Sequence, residues 1–367
     1  MKLFNLILAL FIIAACSNEK PKKEIEDPGK IDDSTNIVDL SYPQEKHFKN
    51  LRQLTFGGDN AEAYFSFDNE KLVFQSNYGQ WGVSCDQIFM MNVSEGAENN
   101  APMLSTGLGR TTCSYFYPDG QHILYGSTHL GGDSCPEAPP FMEGKYVWPI
   151  YDSYDIFKSD LNGNIVEQLT DEPGYDAEAT ISPDGTKIVF TSTRSGDLEL
   201  WTMNMDGSDL MQVTDKLGYD GGAFFSPDSQ KLVFRASRPQ EGEEAETYKS
   251  LLRKGFVQPT NLEIFTCNID GSEMKQITNL GKANWAPFFH PGGEKIIFAS
   301  NHKSESGRQF NLFMTDLNGE NVEQITFDPV FDAFPMFSFD GKHLVFSSNR
   351  NNGGGRDTNV FLAEWID

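Results

Sequence analysis

Two sets of polar residues recur along this chain at matching places, and either set has the chemistry to bind a ligand. Asn60, Thr111, Asp176, Asp220, Asn284 and Asp332 each stand eight residues before the centre of a turn signature. Asp59, Glu62 and Glu178 add carboxylates beside them. Tyr78, His129, Arg194, Arg238, His302 and Arg350 follow the second apolar segment of each copy. Acids and amides beside guanidinium groups form either a ligand ring or a set of internal latches, because a repeated ion pair perturbs electrostatics without any function. His129 and His302 break the pattern, and an imidazole can hold a metal or move a proton where Arg cannot. The ligand-binding candidates are therefore Asn60, Asp176, Asp220, Asn284, Asp332, His129, Arg194, Arg238, His302 and Arg350.

Cysteine supplies the other reactive groups. Cys85, Cys113 and Cys135 fall near one another in the repeat, and an oxidising compartment permits pairing. Cys85 with Cys135 is the simplest bridge, since both lie in long loops of adjacent copies; Cys113 with either is the alternative. A thiolate–His129 zinc site lacks the usual Cys-x-x-Cys spacing. Cys267 reads as a small buried apolar residue. The chain has no Gly-x-Ser-x-Gly elbow, no His-Glu-x-x-His and no phosphate loop, so no catalytic motif is present.

The elements that must carry these residues repeat six times. Leu54-Thr55, Leu104-Ser105, Leu169-Thr170, Val213-Thr214, Ile277-Thr278 and Ile325-Thr326 mark one strand of each copy. Turn signatures such as Pro118-Asp119-Gly120 and Pro183-Asp184-Gly185 mark a tight hairpin, since Pro sets φ, Asp caps and Gly accepts positive φ. Asn162-Gly163, Asp206-Gly207, Asp270-Gly271 and Asn318-Gly319 mark a second hairpin. Between them, runs such as Lys187-Ile188-Val189-Phe190 read as buried central strands. Four short strands per unit, none able to bury its sheet alone, predict an all-β propeller of six four-stranded antiparallel blades. The last copy ends on a third strand, Val360 to Trp365, and the chain from Leu51 to Thr55 is a fourth strand with no partners before it. These two should complete one blade and close the ring.

The Ser-Pro-Asp-Gly and Gln-Leu-Thr punctuation resembles the TolB-type propeller repeat, a bacterial relative of WD propellers, from about Leu51 to the C-terminus. The resemblance implies the fold, with functions that range from binding scaffolds to peptidase-associated propellers and polysaccharide lyases.

The ends and loops complete the reading. Lys2 followed by Leu3 to Ile13 is a leader too short to span as a mature helix. Ile13-Ala14-Ala15-Cys16 resembles the lipobox of bacterial lipoproteins, making Cys16 the lipidated residue; an ordinary secretory leader is the other reading. The expected domains are a signal peptide over residues 1–15, a polar tether over 16–46 and the propeller over 47–367. Ser17-Asn18 offers no aspartate after the cysteine, which by resemblance to sorting rules points to the outer membrane, on its periplasmic side or at the cell surface. The net charge of −24 argues against nucleic acid and leaves cations and basic surfaces as partners.

Long loops at 78–86, 129–154, 239–262 and 303–310 all belong to one face, and such loops are where function concentrates. The segment Glu241 to Pro259 reads as a helix with Glu243, Glu244 and Glu246 leading and Arg253 and Lys254 ending it. The expected function is a monomeric, lipid-anchored envelope scaffold that engages a protein, peptide or glycan through this face and meets the membrane only through its lipid. The alternative is a metal-assisted lyase or hydrolase using His129, His302 and carboxylates at the channel mouth. The one cofactor suggested is a divalent cation held at that mouth.

Overall fold

The computed structural model describes residues 39–97, 101–137 and 146–367. The leader, Cys16 and most of the expected tether lie outside the described residues, as do Pro139, Pro140 and Phe141.

From Asp39 onward the chain forms a six-bladed β-propeller. The innermost strands are Asn60–Phe65, Thr111–Phe116, Asp176–Ile181, Asp220–Phe225, Asn284–Phe289 and Asp332–Phe337. Each pairs antiparallel with a second strand and that with a third, in the order inner, second, third, outer. In blade 1 the outer strand is represented, among the described residues, by the bridge from Phe89 to Met103. In blade 6 it is supplied from the other end of the chain. Phe48–Gln53 pairs antiparallel with Asn359–Trp365, from Phe48 opposite Trp365 to Gln53 opposite Phe361.

Repeated side chains explain the repeated motifs. The Thr of each Leu-Thr pair accepts a hydrogen bond from a third-strand backbone N–H, as from Ile156 to Thr170 at 2.9 Å and from Val360 to Thr55 at 2.8 Å. In five of the six blades this hydroxyl also donates to the polar residue at the head of that strand, as Thr170 does to Asp155 at 3.1 Å and Ser105 to Gln87 at 2.7 Å. In the Ser-Pro-Asp-Gly turn, Ser182 Oγ donates to Asp184 at 2.6 Å and accepts from the Lys187 N–H at 3.0 Å. These contacts close the hairpin without tertiary help.

The core of each blade is an aromatic pair across the second and third strands: Phe74–Phe89, Tyr125–Phe157, Phe190–Trp201, Phe234–Phe265, Phe298–Phe313 and Phe346–Phe361. The second-strand member is fully buried in every blade. Cross-strand aromatic pairs add to burial rather than duplicate it.

The inner strands share a further feature. Each carries a β-bulge whose central residue has left-handed backbone: Glu62, Cys113, Glu178, Gly222, Ala286 and Phe334, with φ between 43° and 58°. Five of the six are not glycine, although left-handed backbone costs an L-residue about 1–2 kcal/mol. The exception has a local cause. A Cβ at Gly222 would overlap the Arg235 guanidinium that passes over it.

Residues at the end of the expected tether are built into the ring. Glu45 is buried and accepts from Arg350 at 2.9 and 3.0 Å, and the Tyr42 hydroxyl donates to Asp328 at 2.9 Å. Composition made 39–46 look solvent-seeking, but Glu45 answers a buried guanidinium that Asp332 alone leaves partly unpaired. A chain starting at Thr55 loses this contact and exposes the edge of blade 6. It is expected to self-associate and lose a single sharp urea transition, checked by size-exclusion chromatography and circular dichroism.

Candidate functional site

The two polar sets identified from the sequence form latches. Asn60, Asp176, Asp220, Asn284 and Asp332 are at most 2% exposed, and none of them lines the cavity at the channel mouth. Arg194 reaches Asp176 at 2.7 Å, Arg238 reaches Asp220 at 2.5 Å and Arg350 reaches Asp332 at 3.1 Å. The same three guanidinium groups lie over the aromatic pairs: Arg194 over Phe190 and Trp201, Arg238 over Phe265, Arg350 over Phe346 and Phe361.

His129 and His302 do the same work without charge. Each imidazole bonds the preceding Ser, Ser127 at 2.9 Å and Ser300 at 2.8 Å, and packs 4.4 Å from Phe157 or Phe313. Arg occurs where the strand head is Asp, and His where it is Thr111 or Asn284, so the choice follows charge matching. Burial holds both imidazoles below the ordinary value, reinforced at His302 by Lys303 and Lys282. They belong to blades 2 and 5, opposite each other in the ring, and do not converge. No three His, Cys, Asp or Glu side chains among the described residues are placed to hold a metal ion.

The cavity is made by other residues. A space of about 780 Å³ opens at the channel mouth on the loop-rich face, and none of the ten candidates above lines it. Its roof comes from two insertions. Trp148–Pro149 of the 129–154 loop pairs antiparallel with Phe256–Val257 of the 239–261 loop, bridging blades 2 and 4 over blade 3. The expected helix is present at Glu243–Leu252 and turns Ala245, Tyr248 and Leu251 inward, with Tyr248 donating to Asp197 at 2.5 Å. Cys85 and Cys135 are disulfide-bonded, Cα atoms 6.0 Å apart, stapling the loops of blades 1 and 2 beside the mouth. Cys113 is free and half-buried; Cys267 is free and buried in its third strand.

The floor of the cavity is formed by the bulge residues Glu62, Cys113, Glu178 and Phe334. Glu178 accepts from Thr191 at 2.7 Å, Tyr219 at 2.7 Å and the Gly222 N–H at 3.0 Å, and pairs with Arg235. Burial alone would raise this carboxyl, but Arg235 and the two hydroxyl donors outweigh it and hold it below the usual range. Arg235 in turn lies against the Trp148 and Tyr219 rings at 5.5 and 4.8 Å. Glu62 stands differently. Its side chain meets solvent only inside the channel and accepts one hydrogen bond, from the Cys113 thiol at 3.0 Å. Burial pushes its carboxyl up to about 7 against the pull of that bond, and the charge of Glu178 adds to the rise. Burial, then Glu62 and Glu178, push the Cys113 thiol well up, so it is a hydrogen-bond donor and not a nucleophilic thiolate. Opposite this polar side, Trp285, Phe310, Phe331 and Phe334 form an aromatic wall, with Trp285 edge-on to Phe334 at 5.3 Å.

Glu62 and Glu178 stood in the sequence as neighbours of the polar ring, whereas Arg235, Trp285 and Phe334 carried no signal of their own. A signal existed in register. Two residues beyond each strand head the residue types stop repeating, and those positions face the axis.

Residues 149–250 match the family described as the TolB beta propeller domain. The chain has the six-bladed propeller fold, and its match to that family lies in the blade 2 to blade 4 region. A structure assigned as TolB from Agrobacterium tumefaciens aligns over 84% of this chain and 91% of its own, with 18% identity and a TM-score of 0.55. TolB from Acinetobacter baumannii aligns over 84% of this chain and 64% of its own, with 17% identity and a TM-score of 0.51. An oligogalacturonate lyase from Vibrio parahaemolyticus covers 86% and 93%, with 11% identity and a TM-score of 0.49. At these identities the likeness to TolB is one of fold.

Two measurements test the site. Arg194→His leaves Asp176 buried without its cation and is expected to cost about 3 kcal/mol in urea unfolding; adding Asp176→Asn, which copies the Asn284–His302 pair, should recover most of it. Glu62 keeps its proton in the folded protein to a higher pH than in the unfolded chain. Its contribution is therefore complete below about pH 4.5 and is lost as pH rises through about 7. The melting temperature of the native protein should fall more steeply across that window than that of Glu62→Gln, as followed by calorimetry.

Proposed function

We propose that this TolB-like propeller is a lipid-anchored, envelope-facing binding scaffold whose ligand enters the roofed cavity at the channel mouth. One observation carries the reading: the strand-head and strand-end residues that repeat around the ring are spent on holding the blades, while the bulge residues, which do not repeat, face a roofed cavity of about 780 Å³ at the channel mouth. That volume lies within the range of small-ligand and peptide sites. A wall of aromatics facing ionic and carboxyl groups is the composition of a recognition pocket, with apolar area for affinity and a few polar groups for orientation.

A protein or peptide segment is the preferred occupant, and a glycan the second. The metal-assisted lyase reading asked His129 and His302 to act together with channel-mouth carboxylates. They sit in opposite blades as latch residues, so that mechanism has no support in the arrangement of the site. The lipobox-like Ile13-Ala14-Ala15-Cys16 supports anchoring at Cys16, in the outer membrane by the absence of an aspartate after it, with the propeller acting as a monomer.

Photo-crosslinking residues placed at Tyr146 and Arg308 on the cavity rim should give a discrete adduct in cells, while the same residue at Asn318 on the opposite face should not. Equal labelling from both faces would remove the cavity as the binding site. Cys16→Ser should move the protein from the membrane to the soluble fraction; unchanged membrane association would refute lipid anchoring there.

A further inference from the structure

We infer that the ligand of this cavity presents a cationic side chain, a lysine or arginine of an extended peptide, whose charge settles on Glu62 while its methylene stem lies along Trp285 and Phe334. This rests on the cavity being the binding site, as proposed above.

The floor contains two carboxylates with opposite situations. Glu178 has its full complement of donors in Arg235, Thr191, Tyr219 and the Gly222 N–H. Glu62 has only the Cys113 thiol, a weak donor, and among the described residues its other oxygen has no partner. A carboxyl group enclosed in a channel with one oxygen free is the group a bound donor would satisfy. The other bulge positions cannot do so from within, because Gly222, Ala286 and Phe334 bring no donor side chain.

The walls select the class of donor. Arg235 is committed to Glu178, and Arg110 to Asp86 at 3.0 Å, so the cations nearest Glu62 are already neutralised. Arg308 stays at the exposed rim. Trp285 and Phe334 offer ring surface to a methylene stem or to the cation itself. A single ammonium ion fills little of about 780 Å³, whereas a side chain with flanking backbone fills it. The net charge of −24 draws such a partner towards the protein.

Binding of this kind is linked to a proton. Glu62 holds one over part of the neutral range, and the arriving cation ionises it, releasing that proton to solvent. The proton balance closes through the protonated fraction: up to one proton leaves Glu62 per cation bound below about pH 7, and none leaves once the free carboxyl is already ionised.

The test uses the mature protein and blocked dipeptides, acetyl-Phe-Lys-amide against the isosteric acetyl-Phe-norleucine-amide, with an N-acetylglucosamine trimer as the glycan arm. Calorimetry and tryptophan fluorescence should show saturable binding of the lysine probe alone. Its affinity should rise about tenfold between about pH 6 and about pH 8, with proton release visible as a dependence on buffer ionisation enthalpy. Glu62→Gln should abolish both the binding and its pH dependence; should that variant misfold, the lysine–norleucine comparison on the native protein decides alone. Equal binding of lysine and norleucine, saturation by the trimer instead, no saturable lysine binding at millimolar concentration, or binding that survives in folded Glu62→Gln would each overturn the inference. Rim crosslinking at Tyr146 and Arg308 is independent of charge, so adducts there with no lysine selectivity would leave the scaffold standing and remove only the cation.

Discussion

Between Phe48–Gln53 and Asn359–Trp365 runs the seam on which the rest of the molecule depends. A propeller blade buries its faces only against its two neighbours, so a ring with a gap would leave two sheets half wet and one edge unpaired. The seam is reinforced by side chains far apart in sequence. Val360 N–H donates to Thr55, and Arg350 bridges Glu45 and Asp332. With circumference and blade number set in this way, the six inner strands are held at a common distance from the axis. Their bulge residues then have no direction to face except the channel.

That constraint divides the labour among residues. Each blade needs the same internal construction: an aromatic pair between second and third strands, a planar group packed on it, and a polar strand head to meet that group. The planar group is guanidinium where the head is Asp and imidazole where it is Thr111 or Asn284, because a buried carboxylate must be paired and a buried amide need not be; in blade 1, headed by Asn60, the Trp81 ring packs on Phe89 instead. Positions obeying this rule are occupied and have little left to offer a ligand. Positions at the bulges carry no such duty, and they differ from blade to blade as Glu62, Cys113, Glu178, Gly222, Ala286 and Phe334.

Asymmetry in the ring therefore produces the site. Gly222 makes room for Arg235, Arg235 satisfies Glu178, and the Trp148 ring brought in by the roof covers Arg235. Removing one member unsettles the next, since each is buried and answers a specific neighbour. Glu62 lies outside this chain of satisfied pairs. Its proton, held by burial and shared with no strong donor, is what gives the floor a group still able to respond to a partner.

The architecture was readable from the sequence because it depends on local chemistry repeated six times. Turn residues set their own hairpins, apolar runs set the buried strands, and a lone third strand at one end matched a lone fourth strand at the other. The helix at Glu243–Leu252 and the Cys85–Cys135 pairing were legible for the same reason, one from charge order within ten residues, the other from loop position in the repeat. The lining of the cavity was not. Whether a side chain near the strand head stays in the wall of its blade or faces the channel depends on a bulge that turns the next positions inward, and Asp176 and Glu178 are both acids two residues apart in one strand. Only packing of the ring separates them: Asp176 meets Arg194 in the wall of its blade, and Glu178 meets Arg235, brought from the next blade across the axis-facing surface.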